Sequence, residues 1–175
     1  MIVAKVGGSL YDDPRLGPAM RMWVSKQPEP VLLVPGGGEF ADAVRKLDAV
    51  HGLGEEAAHW IAIRSLGVAG EFLRQIVPGV EVLDPFAFFT RHDLTPHTWA
   101  VTSDSLALAA AIHLKASKLV LLKSADLPPG LSWAEAAARG FVDAHFPVLA
   151  AGTSIPITAV NFRRWAEFRF PDAGR

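Results

Sequence analysis

The sequence predicts an α/β fold built on a mainly parallel central sheet, and three observations carry that prediction. Val31-Leu-Leu-Val34 and Leu119-Val-Leu-Leu122 are unbroken apolar runs, the pattern of strands covered on both faces. Ile2-Val-Ala-Lys-Val6 runs straight into Gly7-Gly8, and the second apolar run passes through Pro35 into Gly36-Gly-Gly38. Phe40, Val44 and Leu47 then recur at helical spacing, so the second glycine turn leads from strand to helix.

The first strand ends in glycines that leave backbone N–H groups uncovered, and Lys5 adds a positive charge beside them. That is an anion-binding loop, or a tight turn next to an exposed strand lysine. Residues 16–25 form a short helix with Leu16, Met20 and Trp23 on one side, stopped by Gln27-Pro-Glu-Pro30. The helix after Gly36-Gly-Gly38 offers its N-terminal N–H groups and positive dipole end to an anion. Neither glycine turn matches G-x-G-x-x-G, and no G-x-x-x-x-G-K-[ST] occurs. The common dinucleotide and P-loop readings therefore lack their fingerprints.

Residues 55–77 read as the longest helix, striped by Ala58, Ile61, Ala62, Ser65, Leu66, Ala69, Phe72, Leu73 and Ile76. His59, Trp60 and Arg64 interrupt the stripe near its start, either as surface residues or as the border of a ligand pocket. Residues 81–84 read as a short strand and residues 85–89 as a helical turn. His92 and His97 stand in a polar loop at a spacing that matches no metal motif, which favours solvated side chains. Ser103 or Asp104 caps the helix that runs to about residue 116. Asp104 either only caps that helix or faces the phosphate site.

Lys123-Ser-Ala-Asp126 follows the buried strand at 119–122, where α/β proteins bind ligands. Ser132-x-x-Glu135 is a capping box for a helix ending at Gly140. Asp143 opens a further helix through Phe146 to Ala151. Ile157-Thr-Ala-Val160 is the last clear strand, and residues 163–170 alternate as an edge strand does.

The 175 residues are enough for one domain, 1–175, with a full core. Half are hydrophobic and the mean hydropathy is +0.25, yet no apolar run reaches the ~20 residues of a membrane span. The first residues read as a strand rather than a signal peptide, and there is no cysteine. A net charge of −1 argues against a nucleic-acid partner. These features lead to the expectation of a cytoplasmic protein with neither membrane nor nucleic-acid partners.

Three strand ends thus carry chemistry suited to phosphates, and a helix opens beside them. Phosphoryl transfer asks for two phosphates held in line with their charge neutralised. Lysines, glycine N–H groups and a helix end supply that.

Lys5-Val-Gly-Gly-Ser9, Pro35-Gly-Gly-Gly38, Thr102-Ser-Asp-Ser105 and Leu119-Val-Leu-Leu-Lys-Ser-Ala-Asp126 follow the order and spacing of the amino acid kinase superfamily. The chain resembles that superfamily over roughly residues 1–161. The resemblance implies a three-layer α/β/α sandwich with ATP and acceptor along the strand C-termini, and a homodimer or higher homo-oligomer. It implies that Lys5 bridges the transferring phosphoryl group and that Asp104 organises the lysines. Gly7, Gly8, Gly37 and Gly38 would offer N–H groups, with Ser9, Gly36, Ser124 and Asp126 completing the nucleotide and phosphate site. Mg²⁺ would arrive with ATP, held mainly by phosphates and water rather than by a protein metal site.

The segment after the fourth apolar strand departs from the superfamily's Thr-Asp-Val-Asp-Gly pattern, and no later Met-x-x-Lys supplies a second lysine. Lys123 is the candidate replacement. The short chain, Ala58-His-Trp-Ile-Ala-Ile63 and Leu122-Lys-Ser-Ala-Asp126 look most like the small kinases of methanofuran-type cofactor synthesis. Their acceptor is a furan phosphate ester that carries an amine. On that resemblance Trp60 or His59 faces the furan, Arg64 the acceptor phosphate and Glu39 the ammonium, with Thr102 and Ser103 beside them. Two alternatives stand next to this reading. One is a kinase for a nucleoside monophosphate or a carboxylate, with Arg45 or Arg64 as its anchor; the other is a nucleotide-binding module without catalysis.

Overall fold

The computed structural model describes residues 1–171. Five parallel strands form one sheet in the order β3-β2-β1-β4-β5. They are β1 (Ile2–Val6), β2 (Val31–Pro35), β3 (Glu81–Val82), β4 (Lys118–Lys123) and β5 (Ile157–Asn161). The helices are α1 (Leu16–Ser25), α2 (Gly38–His51), α3 (Glu55–Ile76), α4 (Pro85–Arg91), α5 (Ser103–His113), α6 (Trp133–Ala138), α7 (Phe146–Ala151) and α8 (Phe162–Arg169). Chain order runs outward from β1 in both directions, so the crevice between β1 and β4 is the topological switch point of the sheet.

The strands read as continuous apolar runs because helices cover both faces. Val3, Leu32, Val34, Leu119 and Leu121 face one core with Ile63 and Leu66 of α3, Leu106 to Ala111 of α5, and Phe146 of α7. Ile2, Ala4, Val6, Leu33, Val120 and Leu122 face the other core with Leu16, Met20 and Trp23 of α1 and Phe162 of α8. The result is a three-layer α/β/α sandwich. Strand parity of two also decides where the lysines go. Lys5 shares its parity with Val3, and Lys123 with Leu121. Both therefore sit on the α5 face, on neighbouring strands.

Several local expectations change. Most of 163–170 belongs to α8 (Phe162–Arg169) rather than to an edge strand. Asn161 accepts from the Arg164 N–H as its N-cap, and Phe162 and Ala166, one turn apart, are both buried. The cap of α5 is Thr102, which makes no side-chain cap bond, its hydroxyl donating to Asp143 instead, and Asp104 turns inward to the lysines. The helix expected at Asp143 begins at Phe146. The α2 stripe is thin, with Val44 buried while Phe40 and Leu47 are exposed. Ile61 lies outside the buried stripe of α3. The capping box holds in both directions, from Ser132 to the Glu135 N–H and from Glu135 back to the Ser132 N–H. Among the described residues, no helix is long and apolar enough to cross a membrane.

Candidate active site

The two lysines meet at one carboxylate. Asp104, second residue of α5, lies buried between the ends of β1 and β4. Lys123 Nζ donates to Asp104 Oδ2 at 2.7 Å, and Lys5 Nζ stands 2.9 Å from Oδ1. Each lysine thus takes one oxygen of the carboxylate. Burial opposes ionisation of Asp104, but the two lysine charges outweigh it and hold the carboxyl below the usual carboxylate range. Lys123 also donates to the Phe141 carbonyl at 2.6 Å. Burial, with the Lys5 charge added, pushes Lys123 down to about 8 against the opposing pull of Asp104 and Asp143.

The glycine turns pack against each other. A Cβ on Gly8 would stand 2.1 Å from the Gly38 nitrogen, and one on Gly36 2.4 Å from the Val6 carbonyl. Side chains are thus excluded where the β1 and β2 turns cross, and α2 starts there with Gly38 at φ +51°. The first N–H groups of α2 have no intrahelical acceptor, and Gly38 to Ala41 line the cleft with Lys5. The Gly7 N–H does not: it donates to the Leu122 carbonyl at 2.8 Å and extends the β1–β4 ladder. Gly36 is buried behind the turn, and its carbonyl accepts from the Tyr11 hydroxyl.

Lys5, Gly8, Ser9, Gly37, Gly38, Glu39, His59, Thr102 and Ser103 share the wall of one cleft of about 710 Å³. From α3 it takes His59, Ala62, Ile63 and Leu66, the i, i+3, i+4, i+7 face of the helix. Trp60 and Arg64 each lie one residue beyond that face, turned by about 100°, and neither lines the cleft. Trp60 donates to Glu56 and packs on Phe86 and His97, while the Arg64 guanidinium lies 3.6 Å from the Phe86 ring centroid. The expected acceptor contacts of these two side chains are therefore replaced by surface packing on α4.

His59 is buried and stacks on His97 at 4.5 Å. Burial and the His97 charge lower His59 to about 4, which keeps it neutral. His97 is no solvated loop residue. It sits between Glu56 and Asp93 at 2.5 and 2.9 Å, and the Glu56 bond foremost raises its pKa. His92 packs on His113 and Phe88. Among the described residues, no group of three or more His, Asp or Glu is arranged to hold a metal ion.

Ser124 reaches the first turn through Ser9, Oγ to Oγ at 2.8 Å. Asp126 is exposed and paired with Arg164. A smaller depression of about 320 Å³ is lined by Asp126, Leu127 and Phe141 among others, and Lys123 and Asp104 line neither this depression nor the large cleft. The sequence reading assigned no role in the preferred site to Arg45, Trp99 or Arg163, which also line the cleft. Arg45 lies over the Trp99 ring at 4.5 Å, Trp99 donates to Asp48, and Arg163 binds the Ser9 carbonyl and Asp12. A cation about two turns along a helix, or in the first turn of an unrecognised one, leaves no local signal.

No family model matches the chain. A curated relative, the [5-(aminomethyl)furan-3-yl]methyl phosphate kinase of Methanocaldococcus jannaschii, is 28% identical over 144 residues, which span 72% of this chain and 67% of the relative. A crystal structure of uridylate kinase from Archaeoglobus fulgidus aligns with a TM-score of 0.66 at 17% identity, over 91% of this chain and 89% of that one. The two share a fold.

Proposed function

We propose that this chain is an ATP-dependent kinase that transfers the γ-phosphoryl group to a phosphate-ester acceptor, [5-(aminomethyl)furan-3-yl]methyl phosphate. The observation that carries the reading is the buried carboxylate of Asp104 between Lys5 and Lys123 at the switch point of the sheet. That the curated relative and the solved neighbour are both kinases supports a phosphotransferase.

The acceptor occupies the large cleft. Its phosphate lies against Lys5 and the N–H groups of Gly8, Gly37 and Gly38. Its ring packs beside neutral His59 and Trp99, and its ammonium faces Glu39 or Asp42, which line the same wall. Besides Lys5, the cations that line this cleft are Arg45 and Arg163, and Arg64 does not line it. ATP approaches from the side of Ser124 and Asp126, with Mg²⁺ bound mainly by its phosphates and water. An oxygen of the acceptor phosphate attacks the γ-phosphorus while the bond to the β-bridging oxygen breaks, leaving a diphosphate ester and ADP. Lys5 and Lys123 oppose the charge spread over the transferring group. We further propose that the chain works as a homodimer.

The test is ATP consumption with Mg²⁺ over a panel of acceptors: the aminomethylfuran phosphate, nucleoside monophosphates and acylated amino acids. Turnover is expected with the furan phosphate. Lys5→Ala is expected to lower kcat by about 10²–10³-fold in a folded protein, the scale of losing one preorganised charge-stabilising group. Turnover confined to another acceptor would discard the substrate and keep the kinase.

A further inference from the structure

We infer that Asp143 is the positioning residue of this ion cluster: by holding the first turn of α5 it sets Asp104 between Lys5 and Lys123. The inference rests on the proposed kinase reading for its catalytic consequence and on geometry for the rest.

Asp143 stands in the turn before α7, and each of its carboxylate oxygens accepts three hydrogen bonds. Oδ2 takes the Thr102 N–H at 3.0 Å, the Thr102 hydroxyl at 2.9 Å and the Ser105 N–H at 2.9 Å. Oδ1 takes the Ser105 hydroxyl at 2.5 Å and the N–H groups of His145 and Phe146 at 3.2 and 3.0 Å. One side chain thus caps two helices. It does for α5 what Thr102 does not do for itself, since Thr102 makes no cap bond of its own. Thr102 and Ser105 flank Asp104, so the backbone that carries Asp104 is fixed on both sides. Asp104 is then free to face the lysines instead of bonding its own helix end, the usual position of an aspartate there.

The carboxylate also acts electrostatically. Lys123 is faced by Lys5 from β1, by Asp104 from α5 and by Asp143 from the turn before α7, while its register neighbour on β5 is the uncharged Asn161. Asp143 favours the charged form of Lys123 in a setting where burial and Lys5 disfavour it. Removal of that negative charge makes Lys123 lose its proton at lower pH.

The test compares the full chain with Asp143→Asn, which keeps the shape but puts donors where acceptors are needed. Ser105→Ala, which removes one of the six donors, is the milder variant. Folding is checked by circular dichroism at the assay temperature. With ATP and the furan phosphate, Asp143→Asn is expected to lower kcat about 10- to 100-fold with acceptor KM changed less than about threefold, and to move the alkaline limb of kcat down by about one pH unit. Ser105→Ala shifts both in the same direction by less, and it decides the matter if Asp143→Asn does not fold. A folded Asp143→Asn with kcat and alkaline limb like those of the wild type overturns the inference. NMR titration of isotope-labelled lysine side chains gives an independent readout: the Lys123 midpoint is expected to fall in the variant. If the wild-type chain phosphorylates no acceptor, the kinase reading fails and this titration alone decides. A lowered midpoint upholds the positioning role of Asp143, and an unchanged one overturns it.

Discussion

At the scale of single residues, the site is a problem in burying charge. Two lysines and an aspartate lie together at side-chain exposures of 6%, 14% and 7%, where each ion alone would be costly. Pairing makes the group tolerable, and on the proposed reading an arriving phosphate would complete the compensation. Lys123 is the weak member because burial and Lys5 lower it to about 8. Its charge is present below that pH and is lost as pH rises through it. If that charge serves transfer, kcat/KM should fall above about pH 8, while Lys123→Arg, whose guanidinium stays protonated, should remove that limb. A profile flat to pH 9.5 in the wild type would deny Lys123 a part in turnover (on the order of one and a half units past its midpoint). Lys5 and Lys123 were legible as candidates because each follows an apolar strand run. Asp104 was legible only as one of two alternatives, cap or site residue. Its six-bonded neighbour Asp143 looked like a helix start, since no pattern in one sequence reveals which distant helix a carboxylate caps.

At the scale of elements, periodicity was informative wherever burial is one-sided or total. The runs at 31–34 and 119–122 gave β2 and β4, and α1 and α3 fall within a residue of their expected bounds. The α3 face that reaches the cleft was harder to see. His59 fits the same i, i+3, i+4, i+7 set as Ala62, Ile63 and Leu66, yet a histidine in an apolar stripe looks like an interruption. Trp60 and Arg64 were grouped with it by sequence adjacency, although each stands a helical step away. Short α8 was missed because its eight residues alternate well enough for a strand, and its identity depends on tertiary contacts. Phe162 is fully buried, meets Trp23 edge-on at 6.4 Å and stacks on Trp165 at 5.2 Å. Phe162→Ala should therefore cost about 3–5 kcal/mol of unfolding free energy, the range for a buried aromatic truncated to a cavity. Denaturant unfolding followed by fluorescence measures it. A loss below ~1 kcal/mol would mean that α8 does not anchor the second core. Because Arg163 and Arg164 tie the same helix to Ser9, Asp12 and Asp126, loosening α8 should also weaken the glycine turn.

At the scale of the whole molecule, the remaining question is the apolar surface that the fold leaves outside. Ile61 and Val68 are 41% and 55% exposed, and at seven residues apart they lie on one face of α3, two turns from each other. Leu47, Val50 and Leu53 are exposed at the end of the neighbouring α2. Single exposed aliphatics are ordinary on any protein. Four of them on two packed helices, with Leu53 in the turn between, are the kind of surface that a partner covers. The stripe of α3 is consumed within the chain along Ala58, Ile63, Leu66, Ala69 and Leu73, so a partner surface would have to use the opposite, solvent-facing side. A homodimer built there would place the α3 helices of two copies together, with each cleft on the far side of its own helix. A stable contact needs about 800 Å² from each copy, and a charge inside it should be prohibitive. Sedimentation equilibrium at micromolar concentration should give twice the chain mass for the wild type and the chain mass for Ile61→Glu combined with Val68→Glu. The double variant should keep its far-UV spectrum, because neither side chain belongs to either core. A monomeric wild type would assign these side chains to ordinary surface, and a dimeric double variant would move the interface to another face.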